Sequence, residues 1–304
     1  MKIFLIVAGC VVGLLLLVIL LLGNYLCSFS TGVKRQSLPE ARKWQEEHYD
    51  ISWYDTLEKT DYTVKSYDGY VLHAQFLKNP QKTPDYVLIS HGYTDNRFGS
   101  LKYTKMYLDL GFNVILYDLR AHGLNEKTYV TYSIRESKDL SVLLSDSRER
   151  YPEMRYFGIQ GESLGAATSV AVLKYRPKLD FVVADCGFSE ITSVLKGGLR
   201  GMHLPVFFVY VASLFSKLRR GHFFREMRPI DSLPGNTVPI LFIHGAADDF
   251  ILPAHSERMK AATAGYSELH LIPGAGHAAS ALTAPEEYRN ITESFLKKIG
   301  LRSG

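Results

Sequence analysis

Six short apolar runs recur along this chain: YVLIS (86–90), NVILYD (113–118), RYFGIQ (155–160), DFVVAD (180–185), PILFIH (239–244) and ELHLIP (268–273). Runs with so little alternation belong to strands buried on both faces, and a sheet is covered on both faces when helices join its parallel strands. Helical patterns near 100–110, 134–150, 164–175, 254–264 and 285–299 fit that rhythm. DYTVKSYDGYVLHAQFL (61–77) alternates instead, around Asp68-Gly69, and predicts an antiparallel hairpin ahead of the parallel strands. The expected fold class is α/β, a mostly parallel central sheet of about eight strands with helices on both faces.

One interval breaks the rhythm. More than fifty residues separate VVAD from PILFIH, including MHLPVFFVYVASLFSKLRRGHFF (202–224). A strand-to-strand helix needs far fewer. The interval predicts one crossover helix plus an inserted, largely helical cap over 187–235. Its apolar segment PVFFVYVASLF has three readings: the lining of an acyl pocket, a surface against a bilayer, or the packed underside of an ordinary helix.

Residues 3–22, IFLIVAGCVVGLLLLVILLL, carry no charge and match the length of a membrane-spanning helix. A cleaved signal peptide is the competing reading, but its apolar core is normally shorter and the best small-x-small site, Ser28 and Ser30, is weak. VAGC at 7–10 resembles a lipoprotein box, yet it comes too early and another dozen apolar residues follow. The expected organisation is a transmembrane anchor over 1–30, a linker with an amphipathic connecting helix over 31–60, and the body over 61–304. The expected location is the cell membrane, single-pass. Lys2 flanks one end of the span and Lys34, Arg35, Arg42 and Lys43 the other, which leans toward a cytoplasmic body; a first helix also enters as a signal anchor, so the side stays open.

Composition excludes some classes. With 46% hydrophobic and 22% charged residues the chain is globular rather than disordered. A net charge of +4 with no dense basic run leaves no nucleic-acid footprint. Cys10, Cys27 and Cys186 form no CxxC pair, so neither a disulfide framework nor a zinc site is indicated.

Gly161-Glu162-Ser163-Leu164-Gly165 follows a predicted strand and opens a predicted helix, the context of a nucleophile elbow. Gly161 and Gly165 suit a turn that brings strand and helix backbones too close for side chains, and the N–H groups at the helix start supply part of an anion site. A serine nucleophile needs a base and the base an orienting acid. Of ten histidines, His277 lies in PGAGHA, a Gly-rich loop after the last strand and before the last helix. His91, His122 and His244 sit at strand ends, where His91 and His244 precede glycine and read as turn-shaping residues. HGAADDFILP (244–253) follows the preceding strand and offers Asp248 and Asp249. The order Ser163, Asp248, His277 is that of α/β-hydrolases.

From residue 61 onward the chain resembles an α/β-hydrolase of the serine esterase, lysophospholipase and serine aminopeptidase type, carried by SHGYTDN, YDLRAHGLN, GESLGA, IHGAADDFILP and GAGHA in that order. The resemblance implies Ser163 as nucleophile and His277 as general base. The acid usually lies four residues after the histidine of the HG pair, which gives Asp248; counting back four from Pro253 gives Asp249, the named rival. The implied oxyanion hole uses the backbone N–H groups of Leu164 and Tyr93, and Tyr93 also stands where it can wall the pocket. No metal and no organic cofactor is implied.

Three functions follow as expectations. The first is a membrane-anchored carboxylic-ester hydrolase acting on acyl glycerol or lysophospholipid-like esters, with the membrane contacted through residues 3–22. The second is a peptidase or amidase, which needs an acidic clamp for a substrate amine; Glu162, Asp185 and Glu190 are the carboxylates on offer. The third is a non-catalytic binding protein, opposed by the presence of all three triad residue types in order. Oligomeric state is left open.

Overall fold

The Asp68-Gly69 turn adopts the geometry its glycine permits. In the computed structural model, which describes residues 1–302, Gly69 takes φ +84° and β1 (Lys59–Lys65) pairs antiparallel with β2 (Val71–Leu77), Val64 opposite Leu72. The sheet continues with β3 (Tyr86–Ser90), β4 (Asn113–Tyr117), β5 (Phe157–Glu162), β6 (Phe181–Asp185), β7 (Ile240–Gly245) and β8 (Ser267–Ile272). Strand order is β1-β2-β4-β3-β5-β6-β7-β8, with β2 antiparallel to β4 and every later pairing parallel. Every residue of β3 to β7 is buried, as their unbroken apolar runs require; β8, at the sheet edge, is half-exposed except for Ile272.

The helices are α1 (Lys2–Thr31), α2 (Leu38–His48), α3 (Trp53–Thr56), α4 (Leu101–Asp109), α5 (Ile134–Arg150), α6 (Leu164–Ala171), α7 (Ile191–Gly201), α8 (Phe208–Arg220), α9 (Ala254–Ala262), α10 (Ser280–Thr283) and α11 (Pro285–Lys298). Two compact units result, Met1–Gly32 with Glu190–Met227, and Val33–Ser189 with Arg228 onward.

The larger unit holds the sheet. Val183, Leu241 and Ile243 join one core cluster with Tyr107, Phe295 and Leu296, while Val182, Ala184, Ile240 and Phe242 join another with Ala166, Val170 and Met259. That alternation is the period-two signature of a sheet sandwiched between helices. Residues 33–58 belong to this unit. Ser37 and Glu40 cap α2 reciprocally, and Ile51 and Tyr54 enter the core, so this stretch packs against the sheet's helices instead of running free.

In the smaller unit α1 is one unbroken helix of 30 residues, long and apolar enough to cross a membrane. Its first twenty residues are exposed or nearly so, whereas Gly23, Leu26, Cys27 and Thr31 are buried. Gly23 faces Val211 of α8, where a Cβ would overlap the valine side chain. Arg219 donates through Nη1 to Asn24 Oδ1 at 2.9 Å and Ser28 Oγ at 2.7 Å. The Ile191 N–H donates to Met227 O at 3.1 Å, closing the excursion on itself.

Candidate active site

β3 is flanked by β4 on one side and β5 on the other, so the loops after β3 and β5 diverge at a switch point, where crevices form in open α/β sheets. β5 ends at Glu162 and α6 begins at Leu164, leaving Ser163 alone to make the turn with φ 52° and ψ −111°. A side-chain-bearing residue rarely adopts a positive φ, and the crossing is held by contacts that only glycine allows. A Cβ on Gly165 would come within 2.6 Å of His91 O, and one on Gly161 within 2.5 Å of Gly165 O.

Ser163 Oγ lies 3.0 Å from His277 Nε2. His277 sits between β8 and α10, and its Nδ1 lies 2.7 Å from Asp248 Oδ2. With a carboxylate as its partner, Nδ1 carries the proton, and Nε2 presents a lone pair to the serine hydroxyl. Asp248 is buried on the loop after β7, and its Oδ1 accepts the N–H groups of Phe250 at 3.0 Å and Ile251 at 2.9 Å. Burial pushes this carboxyl up, but hydrogen bonds from His244 and His277 outweigh it and hold it well below the usual carboxylate range. Asp249, one residue on, is exposed.

Of the residues expected to form the oxyanion hole, Leu164 is the first of α6 and Tyr93 follows β3, whose Ser90 stands opposite Gly161 in register. The two segments run side by side: a Cβ on Gly92 would lie 3.7 Å from Ser163 Cβ. Two histidines fix the loop after β3. His91 Nδ1 donates to Gly92 O at 2.7 Å and its Nε2 accepts the Leu119 N–H at 2.9 Å, while His122 Nε2 accepts the Thr94 N–H at 3.2 Å. Burial pushes His91 down to about 4 and His122 down to about 3, so both remain neutral acceptors at physiological pH.

Sequence reasoning missed His244 as a second partner of Asp248. Its Nε2 lies 3.2 Å from Asp248 Oδ2 and 2.7 Å from Ile251 O, while Nδ1 accepts from the Ser256 hydroxyl at 2.7 Å. The spacing of four residues to the acid was the available signal. Also missed was a buried polar cluster behind the elbow. Lys102 forms an ion pair with Glu162, whose Oε2 also accepts from the Tyr103 hydroxyl at 2.5 Å. The same hydroxyl is 3.1 Å from Asp185 Oδ2, and Ser280 Oγ is 3.3 Å from Asp185 Oδ1. Burial pushes the Asp185 carboxyl up to about 6, and the nearby Glu162 charge adds to it. Nothing in the sequence marks Lys102 as lying behind Ser163.

Residues 102–302, which hold Ser163, Asp248 and His277, match the model of the prolyl oligopeptidase family. The chain belongs to that family. Over 84% of its length it is 32% identical to the uncharacterized protein YqkD of Bacillus subtilis, covering 85% of that relative. Among solved structures this prolyl oligopeptidase family chain is similar to the Pyrococcus furiosus esterase Pf2001, with a TM-score of 0.69 at 23% identity over 88% of this chain and 98% of that one. It is also similar to a Pyrococcus horikoshii acylaminoacyl peptidase, with a TM-score of 0.62 at 13% identity over 82% of this chain and 43% of the other. Both neighbours carry the α/β-hydrolase fold to this member of the prolyl oligopeptidase family, as its sheet order does. Family and fold make the chain a hydrolase. Among the described residues no group of three or more His, Cys, Asp or Glu is arranged to hold a metal ion.

Proposed function

We propose that the chain is a membrane-anchored serine hydrolase that cleaves carboxylic esters of the acyl glycerol or lysophospholipid-like class. The observation that carries this reading is the relay from Ser163 Oγ to His277 Nε2 at 3.0 Å and from His277 Nδ1 to Asp248 Oδ2 at 2.7 Å, with the serine at a strained elbow.

In the proposed reaction His277 takes the Ser163 proton as Oγ attacks the ester carbonyl. Asp248 keeps the imidazole in the tautomer that accepts at Nε2 and stabilises the imidazolium that forms. The Leu164 and Tyr93 N–H groups receive the tetrahedral oxyanion, each worth about 2.7–4 kcal/mol of barrier in comparable sites. His277 then protonates the leaving alcohol, and a water activated by the same nitrogen releases the acid from Ser163.

Two observations favour ester over amide. Glu162 and Asp185, two of the three carboxylates eligible as an amine clamp, are buried and already engaged with Lys102 and Tyr103. Beside His277 stands an apolar ring instead: Phe250 is 57% exposed and edge-on to the imidazole, with ring centroids 5.1 Å apart. The peptidase reading keeps the support of the family model and of the acylaminoacyl peptidase neighbour. Retention of α1 as an anchor is supported by its helical course through Ser28 and Ser30, where a signal-peptide cut would fall, and by the grip of Arg219 on Ser28.

The test is fluorophosphonate labelling of the detergent-solubilised full chain beside Ser163→Ala, with p-nitrophenyl esters of increasing acyl length against peptide anilides. Labelling lost in the variant, with turnover of medium or long esters, is expected. A folded chain that takes no label sinks the hydrolytic site; labelling with anilide turnover alone transfers the site to the peptidase reading.

A further inference from the structure

Helix α8 carries a stripe of large apolar side chains that its own unit leaves largely exposed. Phe207, just ahead of the helix, and Tyr210, Leu214 and Leu218 are 43%, 60%, 46% and 72% exposed. Their spacing of three, four and four residues puts them on one face of a 3.6-residue helix. Ala212, Ser213 and Ser216 are buried on the opposite face, and Val211 and Arg219 lie on the flank that meets α1. The exposed stripe therefore adjoins the seam with α1.

The direction of α8 gives this stripe a place along α1. Val211 stands at Gly23, and Arg219, two turns later, reaches Asn24 and Ser28, so the helices run the same way. Gly23 is the first residue after the uncharged run 3–22. Phe207 and Tyr210 precede Val211 and fall level with the end of that run; the basic residues Lys217, Arg219 and Arg220 fall beyond it. Tyr210, 60% exposed, is suited to a boundary, with Lys196 Nζ 2.8 Å from its hydroxyl and 4.8 Å from its ring centroid. Charge agrees with position. Glu190–Met227 contains six Lys and Arg against Glu190 and Glu226, a surplus equal to the +4 of the whole chain.

We infer that α8 is a second membrane contact: its Phe207–Leu218 stripe enters the interface of the bilayer that α1 spans, and its basic end meets anionic headgroups. This rests on the anchor reading of α1. An apolar face rimmed by Lys and Arg is the form interfacial helices take, sinking about 5–10 Å into the headgroup and acyl boundary. Each basic residue near an anionic surface adds to the attraction. The occupant is thus a phospholipid surface with anionic lipid. The close Gly23–Val211 packing makes α8 and the end of α1 one element, in the manner of small-residue helix contacts in membranes.

The experiment uses the full chain in vesicles of phosphatidylcholine and phosphatidylglycerol, with or without a nitroxide on the acyl chain. One sample carries an environment-sensitive fluorophore on native Cys10, which is exposed, unlike the buried Cys27 and Cys186. The other carries it on Leu214→Cys in a Cys10→Ser background. Nitroxide lipid is expected to quench both labels, the one at 214 by about twofold or more, and vesicles without phosphatidylglycerol to quench 214 less. Quenching at Cys10 but not at 214 overturns the inference and leaves the anchor standing. Quenching at neither overturns both. A label at 214 shielded from aqueous iodide but untouched by nitroxide lipid also overturns it and assigns the stripe to a second copy of the chain.

Discussion

Asp248 and Asp249 are chemically identical neighbours, and only the direction of their side chains separates them. The turn after β7 aims the N–H groups of Phe250 and Ile251 at Asp248 Oδ1, leaving Oδ2 for His277, while Asp249 faces water. Asp248→Asn is expected to lower kcat for a p-nitrophenyl ester by about 10⁴, as the imidazole loses its tautomer control. Asp249→Asn is expected to leave kcat within about threefold, a surface change. Equal losses in both variants would break the proposed role of Asp248. Ser163 and His277 were legible because glycines surround each of them and glycine marks backbone that must bend; Asp248 was legible only to within one residue. A second prediction concerns Asp185, whose carboxyl is pushed up to about 6 by burial. A carboxyl raised in the folded state contributes stability that is present below the unfolded value near 4 and is lost as pH rises through the folded value. Thermal melts of the full chain from pH 4 to pH 7 should therefore show Asp185→Asn gaining on the wild type, by roughly 3 kcal/mol at most, with the change complete just above pH 6. A constant difference across that range would show that Asp185 does not titrate in the folded protein.

At the scale of elements, the elbow is a meeting of three backbones, β3, β5 and α6, with no room for a methyl group. Gly165→Ala places a Cβ against the carbonyls of Ser90 and His91, and backbone cannot swing aside as a side chain can. The expected cost is about 3 kcal/mol or more, read as a lower melting temperature and lost fluorophosphonate labelling. Gly235→Ala, where a Cβ meets nothing within 4 Å, is the control expected to melt within a few degrees of wild type. The period-two and continuous apolar patterns made the strands legible to within a residue or two, because a strand covered on both faces is apolar throughout while one covered on a single face alternates. The partners of those strands were not written in the same way. That β3 sits between β4 and β5, and so brings Gly92 beside Ser163, depends on which hydrogen-bonded neighbour each strand finds.

At the scale of the whole molecule, the N-terminal helix does two jobs along its length. Residues up to Leu22 present apolar side chains outward, and Gly23, Leu26, Cys27 and Thr31 pack into the unit that contains α8. A chain beginning at Gly23 keeps that seam and one beginning at Val33 loses it. The shorter chain is expected to be less stable by about 2–4 kcal/mol, the burial of Leu26 and its neighbours, and to aggregate through uncovered α8. Differential scanning fluorimetry and size-exclusion chromatography of the two chains decide the point; equal melting temperatures would mean the seam contributes nothing.

Local chemistry alone determined that this chain builds a parallel α/β sheet, that an uncharged helix precedes it, and that Ser163 and His277 stand on bent loops. Those properties depend on neighbours in sequence: the period of apolar residues, the length of an uncharged run, the glycines around a turn. Tertiary structure decided the rest. It gave Asp248 its second histidine, turned Glu162 and Asp185 away from a clamp and into a buried cluster with Lys102, and laid α8 against the end of α1. Each of these joins residues that are distant in sequence or differ only in where they point, and such contacts are selected by packing and by the cost of leaving a buried charge unpaired.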